Sequence, residues 1–66
     1  MDIGKRIREL REEKGINQKK LAQEIGVAQS AISQWESGVN EPKASYVLYL
    51  AEYFDVTADY LLGREE

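Results

Sequence analysis

Residues 18–37 read QKKLAQEIGVAQSAISQWES, and the fold turns on how this stretch bends. Leu21, Ala22 and Ile25 fall on one helical face, while Ile32 and Trp35, three residues apart, mark another. Gly26 separates the two. Without a β-carbon it can take the left-handed or closely packed turn that a larger residue resists. Two short helices joined at such a corner cross steeply and share one small core. Gln29, Ser30, Ser33 and Gln34 are then left outside, a compact row of donors and acceptors without bulk.

Working outward, the N-terminal segment carries Ile3, Ile7 and Leu10 at helical spacing, with Lys5, Arg6, Arg8, Glu9, Glu12 and Glu13 on the remaining faces. This predicts a first helix from about Ile3 to Lys14, stopped by Gly15. Asn17 is placed to cap a second helix over about Gln18 to Ile25. A third helix is expected from Gln29 to Trp35 or Glu36, with Ala28 at a cap position that lacks a side-chain acceptor. Residues 37–42, SGVNEP, read as a surface loop. Val47, Leu50, Ala51 and Phe54 mark the core face of a fourth helix from about Ala44 to Phe54. Thr57 caps a short last helix with Asp59 in its first turn, Leu61 and Leu62 packing back, and Gly63 ending it. The expectation is an all-α, five-helix domain over residues 1–66, with no strand, repeat or internal linker.

Composition narrows the function. At 66 residues the chain supports one small core and spares few groups for a deep pocket. It has no cysteine and no histidine, which removes disulfides, thiol chemistry and the usual zinc ligand sets. Glu9, Glu12 and Glu13 have ordinary helical spacing and no partner that would make an acid-base pair, so no catalytic residue, metal, cofactor or small-molecule ligand is indicated. No apolar run approaches the roughly 20 residues needed to span a bilayer, and MDIGKRIREL lacks the apolar core of a secretory signal. A cytoplasmic protein is expected.

The net charge of −3 is unevenly spread. Residues 1–43 carry eight basic and seven acidic side chains, whereas residues 44–66 carry one basic and five acidic. The split can set a weakly positive face, containing Lys19 and Lys20, against an acidic one. Set beside the outward row of the third helix, it points to binding of double-stranded DNA with modest, salt-dependent electrostatic affinity. Gln29 and Gln34 each offer a donor and an acceptor, the pattern that matches the N6 and N7 edge of adenine. Ser30 and Ser33 are short enough to let a helix approach the bases. Gln18, at the start of the second helix, can meet a phosphate together with the free backbone donors there. Trp35 and Ile32 are assigned to the inward side, where they fix which side chains face out.

Leu21, Ala22, Gly26, Val27, Ile32 and Trp35, with Gln18, Glu36 and Gly38, form a pattern that resembles the Cro and phage-repressor helix-turn-helix family, the XRE-like regulators. The resemblance runs from the helix containing Arg11 through Pro42 and VLYLAEYFDVTADYLLG to Gly63. It implies a lambda-repressor-like five-helix domain that acts as a transcriptional regulator, repression being preferred to activation, and works as a homodimer on a palindromic operator. It implies base reading by Gln29, Ser30, Ser33 and Gln34. Asn17, Gln18 and Asn40 resemble sites that touch the DNA backbone, and Lys43 can add a cation beside them. Glu41 departs from the often basic or neutral loop and would repel a nearby phosphate. The match also implies a partly buried ion pair between Arg11 and Glu36. Together with Leu21, Ala22, Gly26, Ile32 and Trp35 these two are assigned as structural anchors.

Tyr46, Tyr49 and Tyr53 fall at offsets of zero, three and seven, and Tyr60 can extend their stripe from the last helix. Such a stripe serves equally as the edge of the core, a homodimer interface or a partner surface. The alternative function is therefore a protein-interaction module, an antitoxin-like partner that uses the tyrosines.

Overall fold

Helix α1 (Ile3–Lys14) starts where the Asp2 carboxylate accepts a hydrogen bond from the Lys5 backbone N–H at 3.0 Å, occupying one of the donors that a first turn leaves open. It ends at Gly15, beyond which the Ile16 N–H folds back to the Arg11 carbonyl at 3.2 Å. The computed structural model describes residues 2–64. After α1 come α2 (Gln18–Ile25), α3 (Gln29–Ser37), α4 (Ala44–Phe54) and α5 (Ala58–Leu61), with no strand among the described residues. No helix among them is long and apolar enough to cross a membrane.

The corner between α2 and α3 is built on Gly26 at φ 83°, a left-handed conformation that costs glycine nothing. Its N–H and that of Val27 both return to the Ala22 carbonyl, at 2.8 and 3.0 Å. Helix α3 runs to Ser37, past the end expected from Trp35 or Glu36. Ser37 Oγ donates to the Gln34 carbonyl at 3.2 Å and the Val39 N–H reaches the same oxygen at 3.0 Å, so the last turn is closed from outside. The loop that follows is exposed from Gly38 to Glu41, but Pro42 is buried. Its ring lies with Ala44, Val47, Leu48, Ala58 and Leu62 around an apolar hollow of about 370 Å³ between the start of α4 and α5.

Every helix sends one side chain fully out of water: Ile7, Leu21, Ile32, Leu50 and Leu61. Ile3, Leu10, Ala22, Trp35, Val47 and Ala51 complete the buried core, with Ile25, Phe54 and Leu62 packed at its rim. Truncating any of the five central residues to alanine removes its burial and leaves a cavity, at a cost of roughly 2–5 kcal/mol each. Ala22 is small where α2 approaches α3. Gly4 does the same work between α1 and α3, since its backbone lies directly against that of Trp35 and Glu36. These contacts hold α3 with its indole inward and its polar side outward.

Candidate nucleic-acid interface

Gln29, Ser30, Ser33 and Gln34 are all exposed on α3. Gln29 and Ser33, like Ser30 and Gln34, are four residues apart, so each pair stacks along one side of the helix. Ile32 is completely buried and Trp35 nearly so, which fixes the rotation of α3 about its own axis. Ala28 has the extended conformation of a helix cap but makes no side-chain hydrogen bond, so the first turn of α3 is uncapped.

Behind this row, Glu36 joins three helices. Its Oε2 accepts from Arg11 Nε at 2.6 Å and its Oε1 from Arg11 Nη2 at 3.0 Å, a two-pronged pairing between α1 and α3. Arg11 Nη1 also donates to the Ile16 carbonyl at 3.0 Å, fixing the segment that enters α2. Gln18 Nε2 donates to Glu36 Oε1 at 3.1 Å, which commits one of its amide hydrogens inside the domain. Burial by itself pushes the Glu36 carboxyl up, but the hydrogen bonds from Arg11 and Gln18 and the charges of Arg11 and Arg8 outweigh it and hold the group below the usual carboxylate range. The Arg11 guanidinium is correspondingly raised, chiefly by its hydrogen bond to Glu36.

Arg8, which sequence reading left among the solvated charges, stands 3.9 Å from Glu36 Oε1 and 3.8 Å from Glu12. With Gln18, Ser33, Glu36 and Ser37 it lines a polar hollow of about 180 Å³ at the side of α3. Asn17 spends its side-chain oxygen on the Lys20 N–H at 2.8 Å, capping α2. Lys43 is exposed at the cap position of α4, two residues after the exposed Glu41. Asn40 is brought to the reading row itself, its Nδ2 donating to Gln34 Oε1 at 2.7 Å.

The tyrosines divide. Tyr46 is half-buried against Trp35, with ring centroids 5.6 Å apart, and Tyr53 is half-buried against Phe54 at 5.2 Å. Cations of α1 cover two of the rings, Lys14 over Tyr53 at 5.0 Å and Arg6 over Tyr60 at 4.5 Å. Burial, and then the charge of Glu24, raise the Tyr53 hydroxyl above its ordinary pKa. Only Tyr49 is exposed, and with Leu48 and Val39 it makes up the large exposed hydrophobic side chains of the described residues.

A helix-turn-helix family model matches residues 7–61. The chain belongs to the helix-turn-helix family. Within it the relatives are XRE-like and phage-repressor proteins. The HTH-type transcriptional regulator ImmR of Bacillus subtilis is 33% identical over 66 residues, an alignment that takes in 100% of this chain and 52% of that protein. Among solved structures, the P22 c2 repressor in complex with synthetic operator 9T superposes with a TM-score of 0.90 at 37% identity, covering 98% of each chain. The biofilm-formation regulator SinR in complex with DNA superposes with a TM-score of 0.84 at 34% identity, covering 91% of this chain and 97% of that one. The helix-turn-helix domain seen here spans between 32% and 53% of the length of the first curated relatives it matches.

Proposed function

We propose that the chain binds double-stranded DNA in a sequence-specific way, laying α3 in the major groove, and serves as a transcriptional regulator. The observation that carries this reading is the exposed row of Gln29, Ser30, Ser33 and Gln34 on a helix whose rotation is fixed by the buried Ile32 and Trp35. Short amide and hydroxyl groups allow close approach, and their donors and acceptors match base edges. Asn17, Gln18, Asn40 and Lys43 flank the row and supply backbone contacts that set its register. The DNA complexes of the P22 c2 repressor and SinR, which share the fold, support the same reading.

Repression is the favoured outcome. Occupying a site is enough to block transcription, whereas activation also requires a surface that recruits another protein. A palindromic operator bound by a homodimer fits the reading, since paired recognition helices reach successive major grooves when they stand roughly 34 Å apart. The exposed Leu48 and Tyr49 of the fourth helix support this reading as apolar surface that pairing would cover.

Selection from a random duplex library, followed by fluorescence anisotropy on the recovered sites, tests the proposal. The expected result is a short enriched motif in paired half-sites, bound more tightly than random duplex and less selectively by Gln29→Ala. Equal binding to selected and random duplex would refute it.

A further inference from the structure

We propose that Asn40 is a positioning residue for base reading, and that by holding one lone pair of the Gln34 amide oxygen it biases Gln34 toward reading through its N–H donors. The inference rests on the major-groove reading above and deepens it. Asn40 Nδ2 lies 2.7 Å from Gln34 Oε1, although both residues are exposed and six positions apart. The turn that closes α3 creates the contact: the Val39 and Asn40 N–H groups both point back at the Gln34 carbonyl, at 3.0 and 3.4 Å. The loop therefore wraps the end of the recognition helix at the residue whose side chain it also engages.

The chemistry follows from which end of the amide is taken. An unrestrained glutamine reads adenine by donating to N7 while accepting from the N6 amino group. At Gln34 Asn40 takes one of the two lone pairs of Oε1 and ties that end of the amide to the loop, whereas Nε2 makes no hydrogen bond among the described residues. The end left free of the loop is a pair of N–H donors. Both find acceptors on guanine, at O6 and N7, and O4 of thymine also accepts, whereas adenine offers N7 alone and its amino group, like that of cytosine, meets them donor to donor. Gln29 makes no side-chain hydrogen bond among the described residues and keeps both ends. The two glutamines of the row thus differ in what they favour, and two-pronged adenine recognition falls chiefly to Gln29.

The test uses anisotropy titrations of the selected duplex with all four bases placed in turn at the position that Gln34→Ala identifies. The wild type is expected to prefer guanine or thymine there by about fivefold, the lower end of what a specific base contact discriminates. Asn40→Ala frees the amide and should narrow that ratio to within about twofold. Asn40→Asp presents only acceptors, so it engages Nε2 instead and turns the glutamine oxygen outward. Preference should then pass to adenine or cytosine, while the added negative charge weakens all four duplexes alike. Both positions are exposed, and matching circular dichroism melts verify that the variants fold.

A wild type that favours adenine or cytosine at this position, or two Asn40 variants that keep the wild-type preference, would overturn the inference. If Gln29→Ala and Gln34→Ala both bind every duplex as the wild type does, the groove reading itself has failed and this inference falls with it.

Discussion

The backbone of Gly4 in α1 lies so close to the Trp35 carbonyl in α3 that a β-carbon at position 4 would overlap that oxygen and come within 3.0 Å of the carbonyl carbon and 3.1 Å of Glu36 Cα. Every one of these atoms is backbone, so no rotamer change relieves the clash. Gly4→Ala gains about 1 kcal/mol of helix propensity but forces α1 away from α3, an overpacking cost of roughly 1–3 kcal/mol or more. Because the overlap is with backbone, the cost lies at or above the upper end of that range, and a net loss of about 2 kcal/mol or more is expected, read as a fall in Tm of roughly 8–16 °C or more. A Tm equal to or above the wild type would show that the two helices separate without penalty.

Removing the cation from the Arg11–Glu36 pair leaves a carboxylate whose side chain is only 4% exposed, with Gln18 and the more distant Arg8 as its remaining partners. Arg11→Met is expected to destabilise the protein by about 3 kcal/mol. Arg11→Lys should recover only part of this, because a single ammonium cannot serve both carboxylate oxygens and the Ile16 carbonyl. Urea unfolding of the two variants decides the matter; equal midpoints for methionine and lysine would contradict it.

The same pair sets an acid limit. Glu36 titrates lower in the folded chain than in the unfolded one, so the unfolded state takes up its proton first as pH falls. Its stabilising contribution is complete above the ordinary glutamate range, near pH 5 and higher, and drains away as pH drops toward the depressed folded value. Glu36→Gln, which cannot ionise, should be less stable at neutral pH and show a flatter decline as pH falls below about 5. Parallel curves for variant and wild type would assign the acid sensitivity elsewhere.

Two positions are expected to gain stability. Asp55 closes α4 at φ 57°, the single left-handed residue other than glycine among those described, and its charge sits at the negative end of the helix. Asp55→Gly should stabilise by about 0.5–1 kcal/mol after the unfolded-state entropy of glycine is discounted. Ala28→Ser supplies the acceptor missing at the start of α3 and should add about 1 kcal/mol. Thermal melts of the single and double variants should be additive, since the sites share no partner.

Glu41 stands exposed between Asn40 and the buried Pro42, close to the proposed backbone contacts. Glu41→Lys is expected to raise affinity for the selected duplex at moderate ionic strength and to steepen the dependence of log K on log salt by about 0.9 if the new cation meets a phosphate. Identical salt series for the two proteins would place this loop away from DNA.

Most of the helical frame was legible because apolar spacing marks one face of each segment and a glycine closes each of the first three helices. Ile7, Leu21, Ile32, Leu50 and Leu61 all belong to faces visible in the sequence. What escaped depends on pairs that periodicity does not encode. Pro42 reads as loop punctuation and is buried, because α4 and α5 meet over it. The Asn40–Gln34 contact exists only after the chain curls past Gly38, and Arg8 approaches Glu36 only through the packing of α1 on α3. For the tyrosines, the offsets located the stripe but not the Lys14 and Arg6 cations that lie over two of its rings. Gly4 did leave a trace, since a glycine inside the first turn of a helix weakens it and calls for a neighbour that needs the space.

One carboxylate, that of Glu36, is gripped by the first helix and by the leading side chain of the second while belonging to the third. The registration of all three is thus pinned at this point as well as in the core. A molecule that must find one address on a long polymer thus has its aim and its cohesion tied to the same residue, and conditions that weaken one weaken the other.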